Sequence, residues 1–161
     1  MPDGPLGPGQ TTLLRCVAGL ERPESGSITG VPERLGYVFQ EDRLCGVFSA
    51  VANVRLATGR ALPEAEILRH LEELGLAGSA RRPVSQLSGG MRRRVAIARA
   101  VCAGPRLLLL DEAFKGLDDQ CRRDTVAYIR RHTPGASLLC VTHDPEEAAL
   151  LGGRCLDLST L

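Results

Sequence analysis

The segment GPLGPGQTT, residues 4–12, has the glycine spacing of a phosphate-binding loop. Gly4 and Gly9 fit the pattern G-x-x-x-x-G-K-[ST], and Thr11 and Thr12 follow in the hydroxyl positions. Gln10 stands where the pattern has its lysine, and an amide donates hydrogen bonds without carrying a charge. Taken alone, the segment is either a phosphate site with an altered centre or a glycine-rich turn that matches by chance.

Two apolar runs further along the chain end in polar side chains. RLLLLDE places Asp111 and Glu112 after four leucines, and ASLLCVTHD places His143 after a second apolar run. Short, continuous apolar runs are typical of strands that are buried on both faces of a parallel sheet. In α/β folds, the site lies along the edge formed by the carboxyl ends of these strands. We therefore predict an α/β fold with a site at that edge.

The segments between these runs alternate between helical and extended patterns. Helical spacing of apolar residues predicts four helices, in TTLLRCVAGLERP, PEAEILRHLEELGLAG, SGGMRRRVAIARAVCAGP and CRRDTVAYIRRHTPG. Pro23 is expected to end the first helix, and Ser88 to cap the third. GSITG and RLGYVFQ are short strand candidates.

The length of 161 residues is that of one domain. We predict a single, partial domain over residues 1–161, with a small helical subdomain at about residues 49–85. A phosphate loop normally follows a buried strand, and only residues 1–3 precede Gly4. We therefore expect the N-terminal strands of the fold to be missing.

Composition excludes several classes of protein. Hydrophobic residues make up 43% and charged residues 24% of the chain, as in a soluble globular protein. A net charge of +1 gives no support for a broad nucleic-acid surface, and the cluster Arg92, Arg93 and Arg94 is interpreted as a solvated helix face. Six cysteines without a C-x-x-C pair favour reduced, mostly buried thiols over a metal site or a disulfide framework.

An ordered series of motifs resembles the ATP-binding cassette (ABC) domain of ABC transporters. The motifs are YVFQEDRL with Gln40, QLSGGMRRRVAIARA with Ser88, Gly89 and Gly90, LLLLDE with Asp111 and Glu112, GLDD with Asp118, and VTHD with His143. The resemblance runs from Gly4 to about Leu156, and LSGGM is among the most specific signatures of any ATPase family. It implies a P-loop NTPase fold, with ATP as the nucleotide and Mg²⁺ as the cofactor. Overall, the segments look closest to bacterial importers of sulfonates, nitrate and related small anions.

The resemblance also implies a role for each motif residue. Glu112 would activate the attacking water, His143 would contact the γ-phosphate, and Gln40 would reach both the metal and the water. Thr11, Gln40 and Asp111 would hold Mg²⁺. The residues implied to bind the nucleotide, with the backbone of residues 8–12 as an anion-binding nest, are Gly4, Gly7, Pro8, Gly9, Gln10, Thr11, Thr12, Ser88, Gly89, Gly90 and Asp118.

The family mechanism implies partners. Ser88, Gly89 and Gly90 would cap the γ-phosphate of ATP held by a second ABC ATPase subunit, helped by the helix dipole. Asp118 would act across that dimer interface. A transmembrane permease subunit would hold the protein at the cytoplasmic face of the cell membrane, and no nucleic-acid partner is implied.

The sequence departs from the family at Gln10, at Ala113, where proline usually follows the two carboxylates, and in the missing N-terminal strands with their adenine-stacking aromatic residue. The main hypothesis is an ATP-hydrolysing importer subunit whose own site is impaired by Gln10. One alternative is a partner cassette that lends its signature segment to another subunit's ATP. The others are an ATPase acting on nucleic acid or ribosomes, which usually shows tandem cassettes or long insertions, and a truncated gene product or mis-set start.

Overall fold

The computed structural model describes residues 8–156, and at its centre is a parallel sheet. The strands are β1 (Leu35–Val38), β2 (Leu107–Asp111) and β3 (Ser137–Val141), with β2 in the middle. All pairings are parallel, and Val38 lies opposite Leu110. Together with the helices between the strands, this confirms the α/β fold class.

Six α-helices and two short 3₁₀ helices surround the sheet in the described chain. The α-helices are α1 (Pro8–Val17), α2 (Ala50–Thr58), α3 (Glu64–Glu73), α4 (Gly89–Cys102), α5 (Asp119–His132) and α6 (Pro145–Leu151). The 3₁₀ helices are Ala77–Ser79 and Val84–Gln86. As predicted, Ser88 caps α4, because its hydroxyl oxygen accepts a hydrogen bond from the backbone N–H of Met91.

The two faces of β2 explain its run of leucines. Leu108 and Leu110 belong to the large core that also contains Ile67 of α3 and Ile97 of α4. Leu109 points to the other face, where it forms a smaller core with residues of α1 and β1. The strand is therefore covered on both faces, as the sequence predicts for a central strand of a parallel sheet.

The prediction for β3 is only half correct. The strand forms, but its residues are exposed or half-buried rather than fully buried. Its inner edge pairs with β2, and no strand in the described part of the chain pairs with its outer edge. A strand that ends a sheet leaves one side open to solvent, and the apolar run in the sequence does not reveal that position.

Two further predictions about the N-terminal third are wrong. GSITG, residues 26–30, forms no strand: all five residues are exposed, and both glycines have positive φ angles. Helix α1 begins at Pro8 rather than Thr11 and ends at Val17, well before Pro23. It ends where Gly19 adopts a φ of 70° and the N–H of Leu20 donates to the carbonyl of Arg15 at 2.9 Å, a glycine-centred helix termination.

Residues 49–85 contain α2, α3 and the first 3₁₀ helix, and their status as a separate subdomain stays a prediction. Their apolar side chains are continuous with the main core on α4.

No helix within residues 8–156 has both the length and the apolar character needed to span a membrane. The cysteines are free, as predicted, but five are half-buried and Cys155 is exposed, so they are less buried than expected.

A cluster of aromatic and charged side chains joins α3 to α5. Nδ1 of His70 lies 2.9 Å from the hydroxyl of Tyr128, and Nε2 of His132 lies 2.9 Å from Oε2 of Glu73. The two imidazole centroids are 4.5 Å apart. Burial lowers the pKa of His70, and the nearby charges of His132 and Arg69 lower it further. The charge of Glu73 acts in the opposite direction but is outweighed. Neither histidine belongs to any of the motifs named from the sequence.

We expect this cluster to make stability depend on pH. Because the pKa of His70 is lower in the folded state than its unfolded value of about 6.5, the folded protein binds fewer protons near that pH. The free energy of unfolding should therefore fall as the pH drops from about 7 to about 5. His70→Gln should flatten this dependence in urea unfolding curves recorded across that range. A slope in His70→Gln equal to that of the unsubstituted protein would contradict the assignment to His70.

Candidate functional site

The parallel strands bring the predicted site residues to one edge of the sheet. Asp111 is the last residue of β2, Glu112 follows it directly, and His143 lies two residues beyond the end of β3. Gln40 lies two residues beyond the end of β1 and is exposed. Since the carboxyl ends of parallel strands meet at the same edge, the chain gathers these four residues in one region.

Asp111 and Thr11 form the inner half of the site. The Thr11 hydroxyl donates to Oδ1 of Asp111 at 3.2 Å, and the Tyr37 hydroxyl donates to Oδ2 at 3.4 Å. Asp111 is buried, and burial raises the pKa of its carboxyl group. Burial and the charge of Asp111 raise the pKa of Tyr37 to about 12, so the phenol remains a donor. A carboxylate and a hydroxyl are the oxygen ligands that Mg²⁺ prefers, so this pair fits the predicted metal.

Glu112 and His143 form the outer half. Nε2 of His143 lies 3.3 Å from Oε1 of Glu112, and Nζ of Lys115 lies 3.8 Å from Oε2. A cavity of about 460 Å³ opens beside the pair, bordered by Gly116 and Arg122. A carboxylate and an imidazole at this distance can together contact one small group in the cavity.

The backbone at Glu112 is strained. Its φ angle is 46°, in the left-handed region that favours glycine, while its N–H donates to the carbonyl of Val141 at 2.9 Å. A non-glycine residue in this region costs about 1–2 kcal/mol. The hydrogen bond to β3 helps to hold the residue in this conformation, which directs its carboxylate toward His143. Strain of this kind concentrates at functional sites.

Arg93 is the largest departure from the sequence interpretation. It is only 7% exposed, and its guanidinium group donates to the carbonyls of Phe39 at 2.7 Å and Gln40 at 2.5 Å. It also lies 3.3 Å from Oδ1 of Asp42. Arg93 therefore fixes the backbone at Gln40, a function that sequence analysis missed.

The neighbouring arginines also donate to backbone carbonyls but stay half-exposed, so the prediction of a solvated helix face is wrong for Arg93 and partly correct for Arg92 and Arg94. Arg92 donates to the carbonyl of Leu87 at 2.7 Å, and Arg94 donates to the carbonyl of Leu74, just after α3, at 2.7 Å. Carbonyls at the ends of helices and strands lack partners within their own element. The guanidinium groups of α4 provide those partners.

The start of α4 lies beside the loop that precedes α5. A side chain at Gly90 would come within 3.3 Å of the carbonyl of Gly116, so these backbones are closely packed. Ser88 and Gly89 are exposed at this end of the helix. The carboxylate of Asp118 caps α5 by accepting from the N–H of Cys121 at 2.9 Å. Ser88 and Asp118 therefore each cap a helix of their own chain, and their roles toward a nucleotide stay predictions.

The glycine-rich segment is described only from Pro8 onward, so Gly4 and Gly7 lie outside the described residues. Residues 8–12 form the first turn of α1 rather than a separate loop. The N–H groups of a first helical turn lack carbonyl partners within the helix and still favour anions. Gly9 and Thr12 are exposed, and Gln10 is half-buried.

Four further polar residues near His143 were missed by sequence analysis. Thr142 donates to Oε2 of Glu147 at 2.5 Å, and Arg122 donates to Oδ2 of Asp144 at 2.7 Å. Glu147 is 6% exposed, whereas the side chain of the adjacent Glu146 is 78% exposed. Two consecutive glutamates look alike in a sequence, and only the fold shows which of them is buried.

The strain at Glu112 leads to a testable prediction. Glu112→Gly should be more stable than Glu112→Ala by roughly 0.5–1 kcal/mol, because relief of the left-handed strain exceeds the entropy that glycine adds to the unfolded chain. Chemical denaturation of both variants measures the difference. At Ala113, the neighbouring position without a positive φ angle, the change to Gly should instead destabilise the fold. If Glu112→Ala is as stable as Glu112→Gly, the backbone at position 112 is not strained.

Known proteins resemble this chain over nearly all of its length. The chain is 43% identical over 166 residues to an aliphatic sulfonates import ATP-binding protein of Burkholderia cenocepacia, covering 97% of this chain and 62% of the relative. It is 43% identical over 162 residues to a sulfate/thiosulfate import ATP-binding protein of Gloeobacter violaceus, covering 90% of this chain and 47% of the relative. The chain thus spans about half to three fifths of the length of these relatives.

Solved structures share the fold. The dimeric bacterial ABC transporter cassette MJ0796 superposes with a TM-score of 0.78 at 25% identity, covering 88% of this chain and 73% of that one. A post-hydrolysis dimer of the same cassette, bound to ADP and Pi, gives a TM-score of 0.77. The family model for ABC transporters matches residues 3–115. The chain therefore belongs to the ABC transporter family.

Proposed function

We propose that this chain is an ATP-hydrolysing subunit that powers a membrane importer of small oxyanions. The observation that carries the proposal is the pairing of Asp111 with Thr11 and of Glu112 with His143 at one edge of the sheet. One pair has the oxygen ligands for a metal ion, and the other has a carboxylate beside an imidazole. The import ATP-binding proteins of sulfonate and sulfate systems among the relatives support the choice of oxyanions.

The inner pair would hold the cofactor. Thr11 and Asp111 would contribute a hydroxyl and a carboxylate oxygen to Mg²⁺, and Gln40 would reach the same ion from the end of β1. When bound, Mg²⁺ neutralises charge on the phosphates of ATP. Burial raises the pKa of the Asp111 carboxyl group, and Mg²⁺ binding would favour its deprotonated form.

The outer pair would act on the attacking water. Glu112 would accept a hydrogen bond from the water and orient it, while His143 would donate to the terminal phosphate. The 3.3 Å contact between Glu112 and His143 keeps the two groups on the same side of the cavity. Preorganisation of this kind lowers the barrier, because little rearrangement remains for the reaction itself.

Gln10 would weaken the hold on the phosphates. Loss of a charge-assisted hydrogen bond costs about 1.5–3 kcal/mol, which corresponds to a loss of affinity of roughly 10–150-fold. The loss of turnover should be larger, since a lysine at this position also stabilises charge that develops in the transition state.

The segment between Gln40 and α2 is the proposed contact with the permease. Val47 is 79% exposed and Phe48 is partly exposed, so two apolar side chains face solvent next to each other. The buried amide of Asn53 holds this segment: it accepts from the N–H of Cys45 at 2.8 Å and donates to the carbonyls of Cys45 and Phe48. An apolar patch on a fixed loop near Gln40 would transmit a contact with the membrane subunit to the site.

Gln10 favours a second candidate function, that of a partner cassette with an impaired site of its own. The start of α4, with Ser88 and Gly89 exposed, is formed without any contribution from Gln10. Such a chain would supply Ser88, Gly89 and Gly90 to ATP bound on an intact cassette. In the first function, turnover requires Glu112 of this chain. In the second, it requires the catalytic glutamate of the partner cassette and not Glu112 of this chain.

The lysine position gives the first test. Gln10→Lys should tighten ATP binding at least about tenfold, because it restores a charge-assisted contact. Calorimetric titration of both proteins with ATP in the presence of Mg²⁺ measures the change. Gln10→Met is the matched control of similar length, and it should not tighten binding. Equal affinities for Gln and Lys in folded proteins would contradict the clamp argument.

Mixed dimers distinguish the two functions. The chain is co-purified with its Gln10→Lys form under two different tags, and ATP turnover is measured with one further change in the Gln10 chain. If that chain only lends its signature, Ser88→Arg should abolish turnover at the intact partner's site, because the bulky side chain blocks the phosphate cap. Glu112→Gln in the same chain should then have little effect.

The reverse effects of the two substitutions on turnover would exclude the lending function. If Glu112→Gln in the Gln10 chain stops turnover and Ser88→Arg does not, that chain hydrolyses its own ATP and the lending function is excluded. If neither the mixed dimer nor the Gln10→Lys homodimer hydrolyses ATP, the proposed ATPase function is wrong.

A further inference from the structure

We propose that Thr142 and Glu147, with Arg122, are positioning residues that hold the turn carrying His143 and so direct its imidazole toward Glu112. The inference rests on the proposed function, because it assigns a purpose to the orientation of His143. The geometry on which it depends is tested separately from ATP hydrolysis below.

The imidazole of His143 needs such support because packing does not hold it. Its side chain is 57% exposed, and it follows β3, the half-buried strand at the end of the described sheet. An exposed side chain on a turn samples several rotamers unless the backbone beneath it is fixed. The 3.3 Å contact with Glu112 therefore depends on the conformation of residues 142–144.

Thr142 fixes that turn through two hydrogen bonds of one hydroxyl group. The oxygen accepts from the N–H of Asp144 at 3.0 Å, which closes a short side-chain turn around His143. The proton is donated to Oε2 of Glu147 at 2.5 Å. A hydroxyl that both donates and accepts has a defined orientation, so the turn is joined to α6.

Glu147 is buried although it carries an ionisable group. Its exposed fraction is 6%, and burying a carboxylate costs free energy unless the carboxylate is hydrogen-bonded. Thr142 is that partner. Its hydroxyl donates to Oε2 of Glu147, so a buried acceptor on α6 holds the turn around His143 in place.

Arg122 fixes the other side of the turn. Its guanidinium group donates to Oδ2 of Asp144 at 2.7 Å and to Oδ1 of Asp119 at 3.3 Å. Asp119 begins α5, directly after Asp118. The residue after His143 is therefore tied to the start of α5, and His143 lies between a hydrogen bond to α6 and an ion pair to α5.

The test measures the coupling between His143 and Glu112 by NMR of the ¹⁵N-labelled imidazoles in the whole chain. Glu112→Gln should shift the His143 signal while leaving the His70 and His132 signals in place. In a Thr142→Val background, most of this His143 response should be lost, because the imidazole is no longer held beside residue 112; the two changes form a double-mutant cycle. Thr142→Ser, which keeps the hydroxyl, should restore it.

Two further comparisons separate positioning from a general loss of structure. Thr125→Val removes a buried hydroxyl that donates to the carbonyl of Cys121 at 2.7 Å on α5, and it should leave the His143 response unchanged. Glu147→Met should reproduce the loss seen in Thr142→Val, whereas Glu147→Gln, which retains an acceptor, should keep most of the response. A full His143 response in Thr142→Val, or an equal loss in Thr125→Val, would overturn the proposal.

Turnover provides the second readout, measured in the Gln10→Lys form. Thr142→Val should lower kcat roughly tenfold, as expected for a misplaced catalytic group, with KM changed less than about twofold. Thr142→Ser should recover most of kcat. An unchanged kcat in Thr142→Val would overturn the positioning role. If the Gln10→Lys form shows no hydrolysis at all, the proposed function fails, and the NMR comparison still decides whether Thr142 orients His143.

Discussion

The parallel pairing of β2 with strands on both sides is the constraint on which the site depends. It places Asp111 opposite Val141 of β3, while the preceding Leu110 lies opposite Val38 of β1. The loops that carry Gln40 and His143 therefore flank the two carboxylates. A slip of one residue would exchange the faces of β2, moving Asp111 away from Thr11 and placing an apolar side chain there. The leucines oppose such a slip, because each face of the strand is buried in a different core.

Arginine side chains hold the loops at this edge of the sheet through hydrogen bonds to their backbone. The loops at the edge of the sheet end in backbone carbonyls that have no partner in a strand, and guanidinium groups bind several of them. Arg93 holds the carbonyls at Phe39 and Gln40, and Arg99 holds those at Asp42 and Arg43. A planar guanidinium group donates to two acceptors in a fixed geometry, which a lysine ammonium cannot do as well. This explains why arginines rather than lysines hold the loops that carry the site residues.

The sequence predicted those parts of the structure that depend on local signals. β2 follows from its leucines, and the start of α4 follows from Ser88 before two glycines, because strand burial and capping are encoded within a few residues. The errors concern interactions over longer separations. GSITG has strand-like residues but no neighbouring strand in the described chain with which to pair. Arg93 lies next to other arginines in the sequence, and its burial depends on contacts with carbonyls 53 and 54 positions earlier in the chain.

The site divides into two parts that depend on different elements, and this division determines what Gln10 can affect. Thr11 belongs to α1, so the inner pair depends on the segment in which the lysine is replaced. The outer pair depends on the hydrogen bond from Glu112 to Val141 and on the turn around His143, which are formed by β2, β3, α5 and α6. The start of α4 is packed against Gly116, also away from α1. Replacement of the lysine therefore removes a charge from one part and leaves the geometry of the others intact, which is the condition under which a cassette could lose its own nucleotide and still complete the site of a partner.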